Sequence, residues 1–133
     1  MTDGRNSMIS SAREFLSLID DFFGKGWHGY GPSFDGLDSF LYISFHVNPE
    51  SSDLLNDLLV ESIESCNKEF WFLKRSRNNR FYLCSNEFKS KSEELGSYEE
   101  AVKILSNTGA GLGEVTAREL KILTRKLAEL SKS

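Results

Sequence analysis

The sequence predicts an α+β domain: a small antiparallel or mixed sheet, in the element order α-β-α-β-β-α-α, with helices packed on at least one face. Three observations predict it. Apolar residues recur at helical spacing in four segments. Two aromatic runs, EFWFLK and RFYLCS, flank the short stretch SRNN, which is the pattern of a β-hairpin. A third aromatic run, SFLYISFHV, alternates Phe40, Tyr42, Ser44 and His46 against Leu41, Ile43, Phe45 and Val47, as a strand does.

Each element follows in chain order. Residues 1–9 read as a loose lead-in. Ser11 and Glu14 form a capping-box pattern, S-A-R-E, ahead of Phe15, Leu18, Ile19, Phe22 and Phe23, the apolar face of a first helix. Gly24 and Gly26 stop it. The strand SFLYISFHV ends at Asn48-Pro49, because the residue before proline is held extended. Ser51, Ser52 and Asp53 offer caps to a second helix, with Leu54, Leu55, Leu58, Leu59 and Ile63 as its buried stripe. The hairpin follows, turning at an Asn-Asn pair that tolerates left-handed backbone. The SKSEELGS region reads as a linker. Ser97 and Glu100, S-Y-E-E, cap a third helix with Tyr98, Ala101, Val102 and Leu105 inward. Residues 107–115 read as a glycine-rich linker. Thr116 and Glu119, T-A-R-E, cap a fourth helix with Leu120, Leu123, Leu127 and Leu130 in a seam.

The chain has 133 residues, 39% of them hydrophobic and 27% charged, which fits one domain over 1–133 with a core of its own. Net charge is −4. That acidity argues against nucleic acid or an anionic membrane as the main partner and suits a basic protein. No apolar run reaches the roughly 18–20 residues that span a bilayer, and MTDGRNSMISS lacks the apolar core of a secretion signal. Cys66 and Cys84 make neither a CxxC nor a disulfide framework, which leads to the expectation of a reducing, cytoplasmic setting.

Two stretches concentrate chemistry. WHGYGPSFDGLDSF, residues 27–40, gathers aromatics, glycines and carboxylates. Its plainest reading is a turn. Its functional reading is a partner-binding loop in which Trp27, His28 and Tyr30 anchor and Asp35 and Asp38 receive an Arg or Lys. KRSRNNR concentrates Lys74, Arg75, Arg77 and Arg80 at the hairpin tip. Its charges either keep a sheet edge solvated or bind an acidic protein or peptide or a nucleic-acid phosphate, with Trp71, Phe81 and Tyr82 available to stack bases. TGAGLGE lacks the Lys-Ser/Thr and the spacing of a phosphate loop. The two histidines and two cysteines have no zinc spacing. No nucleophile, base and orienting group can be assembled, so neither catalytic residues, nor a metal, nor a cofactor is expected. The leucine seam of the last helix spans about two heptads; it packs internally or forms a homodimer contact.

Two family resemblances accompany this reading. YGPSFDGLDSFL resembles the YG-x-x-LDAL-x-x-x-L stretch of the barstar family of ribonuclease inhibitors, through Tyr30, Gly31, Asp35, Leu37 and Leu41. It implies a helix over SFLYIS and inhibitory contacts by Tyr30 and Asp35, with Asp38 one position from the family's second aspartate. Residues 40–76 are similar in layout to the start of the C-terminal domain of lantibiotic dehydratases, the thiopeptide-type bacteriocin biosynthesis domain. That implies strand, acidic helix, strand, with Lys74 in place of the family's Arg and without the D-P-x-x-H-x-R-x-R continuation. The expectation is a non-catalytic inhibitor or immunity-type protein that blocks a basic protein partner through the 27–38 stretch. A peptide-binding module of ribosomal-peptide biosynthesis and a nucleic-acid binder through the 74–80 hairpin are the alternatives.

Overall fold

Alternation along two aromatic strands sets the architecture. The computed structural model describes residues 4–23, 28–30, 42–76, 80–108 and 112–132. Its elements are α1 (Gly4–Phe23), β1 (His28–Tyr30), β2 (Tyr42–His46), α2 (Pro49–Cys66), β3 (Trp71–Arg75), β4 (Arg80–Ser85), α3 (Asn86–Leu95), α4 (Tyr98–Thr108) and α5 (Leu112–Ser131). The strands form one antiparallel sheet in the order β1-β2-β4-β3. β2 and β3 both run antiparallel to β4 and are therefore parallel to each other, joined by α2 with β4 inserted between them: a split β-α-β unit.

The register assigns the faces. Ile43, Leu83 and Leu73 lie across from one another, as do Phe45, Phe81 and Arg75. This face meets α1, α2 and α5 in the main core, built on Ala12, Phe15, Leu16 and Ile19, on Leu55, Leu59 and Ile63, and on Ala117, Leu120, Leu123 and Leu127. Phe45 stacks on Phe81 at 5.4 Å and meets the edge of Phe15 at 5.6 Å. The other face carries Ser44, Tyr82 and Lys74 in one row and Phe72 with Cys84 in the next. There Cys84, Phe88, Ala101 and Leu105 make a second, smaller core, with Phe72 against it. The sheet is thus covered by helices on both faces, so the expected α+β class holds with one more layer than the single face it required.

Several boundaries differ from the sequence reading. α1 begins at Gly4, so Ser11 stands inside the helix and not at its cap. α5 begins at Leu112, so Thr116 is likewise internal. Both hydroxyls are buried, and neither meets a hydrogen-bond partner among the described residues. A Ser or Thr three residues ahead of a Glu passes for a cap whether or not the turn before it is already helical. α2 begins directly at Pro49, the position where a missing N–H costs nothing, and Ser52 Oγ donates back to Pro49 O at 3.0 Å. Leu54 is 57% exposed and leaves the expected stripe. The region read as a linker is α3, capped by Ser85 Oγ accepting from Phe88 N at 3.1 Å. Gly96 ends it at φ +70°, with the N–H groups of Gly96 and Ser97 both on Ser92 O. The expected pairing of the two hairpin strands and the Ser97 cap are present: β3 runs antiparallel to β4, and Ser97 Oγ accepts from Glu100 N at 3.3 Å. The short strand β1 had no counterpart in the sequence reading. The Asn-Asn turn, Gly24, Gly26 and the linker residues 109–111 lie outside the described residues.

Two expectations test this packing. Phe45→Ala should cost about 3–5 kcal/mol, read as a lower urea midpoint at unchanged slope. Gly96→Ala should cost about 1 kcal/mol, from backbone conformation alone, because a Cβ there meets nothing within 4 Å.

Candidate functional site

The cations of the hairpin are separated by the pleat. Arg75 lies on the side of α2, where its Nη2 reaches Asp53 Oδ1 at 2.7 Å and donates to Ser52 Oγ at 2.8 Å. Its guanidinium stands 5.8 Å from the centre of the Phe81 ring. Through Ser52 it ties the end of β3 to the first turn of α2. Lys74, one residue earlier, lies on the opposite side, paired across from Tyr82. Arg80 joins it there: its Nη2 donates to Ser44 Oγ at 3.0 Å and its guanidinium lies 5.5 Å from the Tyr82 ring centre. Such a cation over a half-buried ring contributes about 0.5–1 kcal/mol. Lys74, Arg80 and Tyr82 therefore come together and Arg75 does not. Arg77 lies outside the described residues.

The 27–38 stretch is represented by β1 alone. His28 pairs with Phe45 and Tyr30 with Ile43 on the β2 edge of the sheet. Trp27, Asp35 and Asp38 lie outside the described residues. His46, half-buried, pairs with Arg80 across β2 and β4.

Beside Lys74 and Tyr82 a cleft of about 110 Å³ opens between the hairpin and α3, lined also by Phe72, Cys84, Phe88, Lys89, Ser92 and Glu93. Lys89 Nζ lies 4.8 Å from the Phe72 ring centre and 3.4 Å from Glu93 Oε1. Burial pushes the Cys84 thiol up to about 12, against the pull of Lys89. Burial also raises the Cys66 thiol, with Lys126 opposing and Glu119 and Glu129 adding to the rise. Both sulfurs are protonated at neutral pH, which suits wall atoms and not nucleophiles.

The surface that sequence reasoning missed is the outer side of α2. Glu50, Asp53, Asp57, Glu61 and Glu64 all project outward, and the helix carries no Lys or Arg. Asp53 holds Arg75; the other four have no cationic partner among the described residues. Leu54 and Val60, 57% and 40% exposed, lie among them. The signal was in the sequence: acids at spacings of three and four on the side opposite Leu55, Leu59 and Ile63. The leucine seam of α5 is already occupied: Leu120, Leu123 and Leu127 are fully buried within the chain. Among the described residues no three His, Cys, Asp or Glu side chains gather as metal ligands, and no helix is long and apolar enough to cross a membrane.

Replacing Arg75 by Ala should lower stability by about 1–2 kcal/mol, since it leaves the buried Ser52 contact unmade, whereas Lys74→Ala should stay within about 0.5 kcal/mol. Thermal unfolding of the pair reads the difference. For Cys84 the folded thiol titrates above its ordinary value of 9.0. Its contribution is therefore full below pH 9 and is lost as pH rises toward about 12. Urea unfolding at stepped pH should show the wild-type advantage over Cys84→Ala shrinking across that window.

Comparison with family models, with curated proteins and with solved structures gives no match for this chain.

Proposed function

We propose that this chain is a non-catalytic binding protein that engages a basic protein partner, as an inhibitor or immunity-type protein does. The outer face of α2 carries the proposal. It offers four carboxylates without a cation of their own among the described residues, with Leu54 and Val60 flanking them as apolar contacts. Such a face steers a basic partner and speeds encounter, while the apolar side chains supply burial. Asp35 and Asp38, read from the sequence as partner contacts, lie outside the described residues and do not carry this proposal. The inhibitor reading rests on this charge pattern and not on the barstar resemblance, which calls for a helix where β2 stands.

A second reading has two observations in its favour. β3 is the last strand of the sheet, and β2-α2-β3 repeats the strand–helix–strand order of the bacteriocin-biosynthesis resemblance. A peptide adding to β3 would give a module of ribosomal-peptide biosynthesis. The nucleic-acid reading loses Arg75, whose guanidinium is held by Asp53 and Ser52.

The test is capture from the native host with wild type, an Asp57→Lys/Glu61→Lys variant and an Asp35→Ala/Asp38→Ala variant, each checked for folding by circular dichroism. The expected result is a basic protein held by wild type and weakened about tenfold or more by the α2 reversal. Its association should slow when salt rises from about 0.05 to about 0.5 M. An acidic partner, or one held equally after the α2 reversal, would sink the proposal.

A further inference from the structure

The cleft between the hairpin and α3 lies on the opposite layer from α2 and shares no residue with the face proposed above. Its chemistry is different. Phe72, Tyr82 and Phe88 present three rings from three elements. A volume of about 110 Å³ is that of a site for one six-membered ring, given that an apolar cavity of about 150 Å³ takes benzene. The charged groups of the lining are Lys74, Lys89 and Glu93. Lys89 and Glu93 answer each other at 3.4 Å, and Lys89 also lies over Phe72. Lys74 is exposed and has no carboxylate in ion-pair reach among the described residues. Among the described residues the lining therefore carries one unanswered positive charge beside an aromatic floor, on a chain whose net charge is −4.

We infer that this cleft is a binding site for a small aromatic carboxylate, its ring among Phe72, Tyr82 and Phe88 and its carboxylate on the Lys74 ammonium. A neutral ring would leave Lys74 without a role, and an aromatic cation would meet its repulsion. A charge-assisted contact to the ammonium fixes which end of the ligand points outward. The ring supplies the burial. A ligand of this size binds on the order of 1 mM in such a site, because few atoms share the cost of association.

The probe is benzoate, followed by two-dimensional amide NMR of the full chain, with benzamide and acetate as matched controls. Benzoate should produce saturable shifts in residues 72–74, 82–84 and 88–93. Benzamide and acetate should each bind about fivefold more weakly or worse. Lys74→Met should weaken benzoate about five- to tenfold and leave benzamide unchanged, while Lys74→Arg should keep benzoate binding. Lys74 is exposed, so neither change threatens folding. No saturable shift by about 20 mM benzoate would overturn the inference, as would shifts that map elsewhere, or equal losses for benzoate and benzamide in Lys74→Met. The α2 reversal Asp57→Lys/Glu61→Lys should not alter benzoate binding, so this result stands or falls apart from the partner proposal.

Discussion

β4 lies between two other strands and between two helical layers, so it must satisfy four neighbours at once. Its Phe81 and Leu83 enter the core of α1, α2 and α5, and its Cys84 enters the smaller core of α3 and α4. A strand in this position cannot alternate apolar with polar, because both of its faces are covered. RFYLCS accordingly carries Phe81, Leu83 and Cys84 buried on its two faces, and its polar atoms sit at its two ends, Arg80 and Ser85, and on the half-buried Tyr82. Its two neighbouring strands and α3 take their places from it. β2 and β3 read their register from it, and Ser85 at its end opens α3.

The pleat also divides the functional chemistry. Consecutive cations in the sequence cannot act together on a strand, since successive side chains point to opposite faces. Lys74 and Arg75 are neighbours in the chain and serve different layers, one lining a cleft and the other clamping α2. A charge cluster read along a strand is therefore two half-clusters. On a helix the opposite holds. The acids of α2 are scattered in the sequence but form one surface, because spacings of three and four return to the same side.

Much of the fold was legible in the residues. The hairpin, the aromatic strand at 42–46, the stripe of Leu55, Leu59 and Ile63, and the Ser97 cap all follow from period and turn chemistry. Three features were not. NEFKSKSEEL has one large apolar residue facing the core, Phe88, so its helical period has almost nothing to mark it. β1 is three residues long, too short for an alternation to show. Ser11 and Thr116 mimic caps because a capping-box pattern records composition and spacing but not whether the preceding turn is already helical. Of the candidate site, residue types were legible and their grouping was not. The split of Lys74 from Arg75 follows from strand alternation, but the meeting of Lys74 with Phe88 and Lys89 depends on how α3 returns over the hairpin.

The split β-α-β order has a consequence for how the chain can assemble. β2 and β3 stand two strand spacings apart, roughly 9.5 Å, a gap that only β4 fills. No intermediate made of β2, α2 and β3 alone can pair its backbone. β4 pairs with β3 through a short local closure and with β2 only after the thirty-three residues between His46 and its partner Arg80 have been brought round. Local contacts form at smaller entropic cost than distant ones. The hairpin is therefore the unit delivered to β2, and the layer of α3 and α4 can close only over a sheet that already holds its central strand.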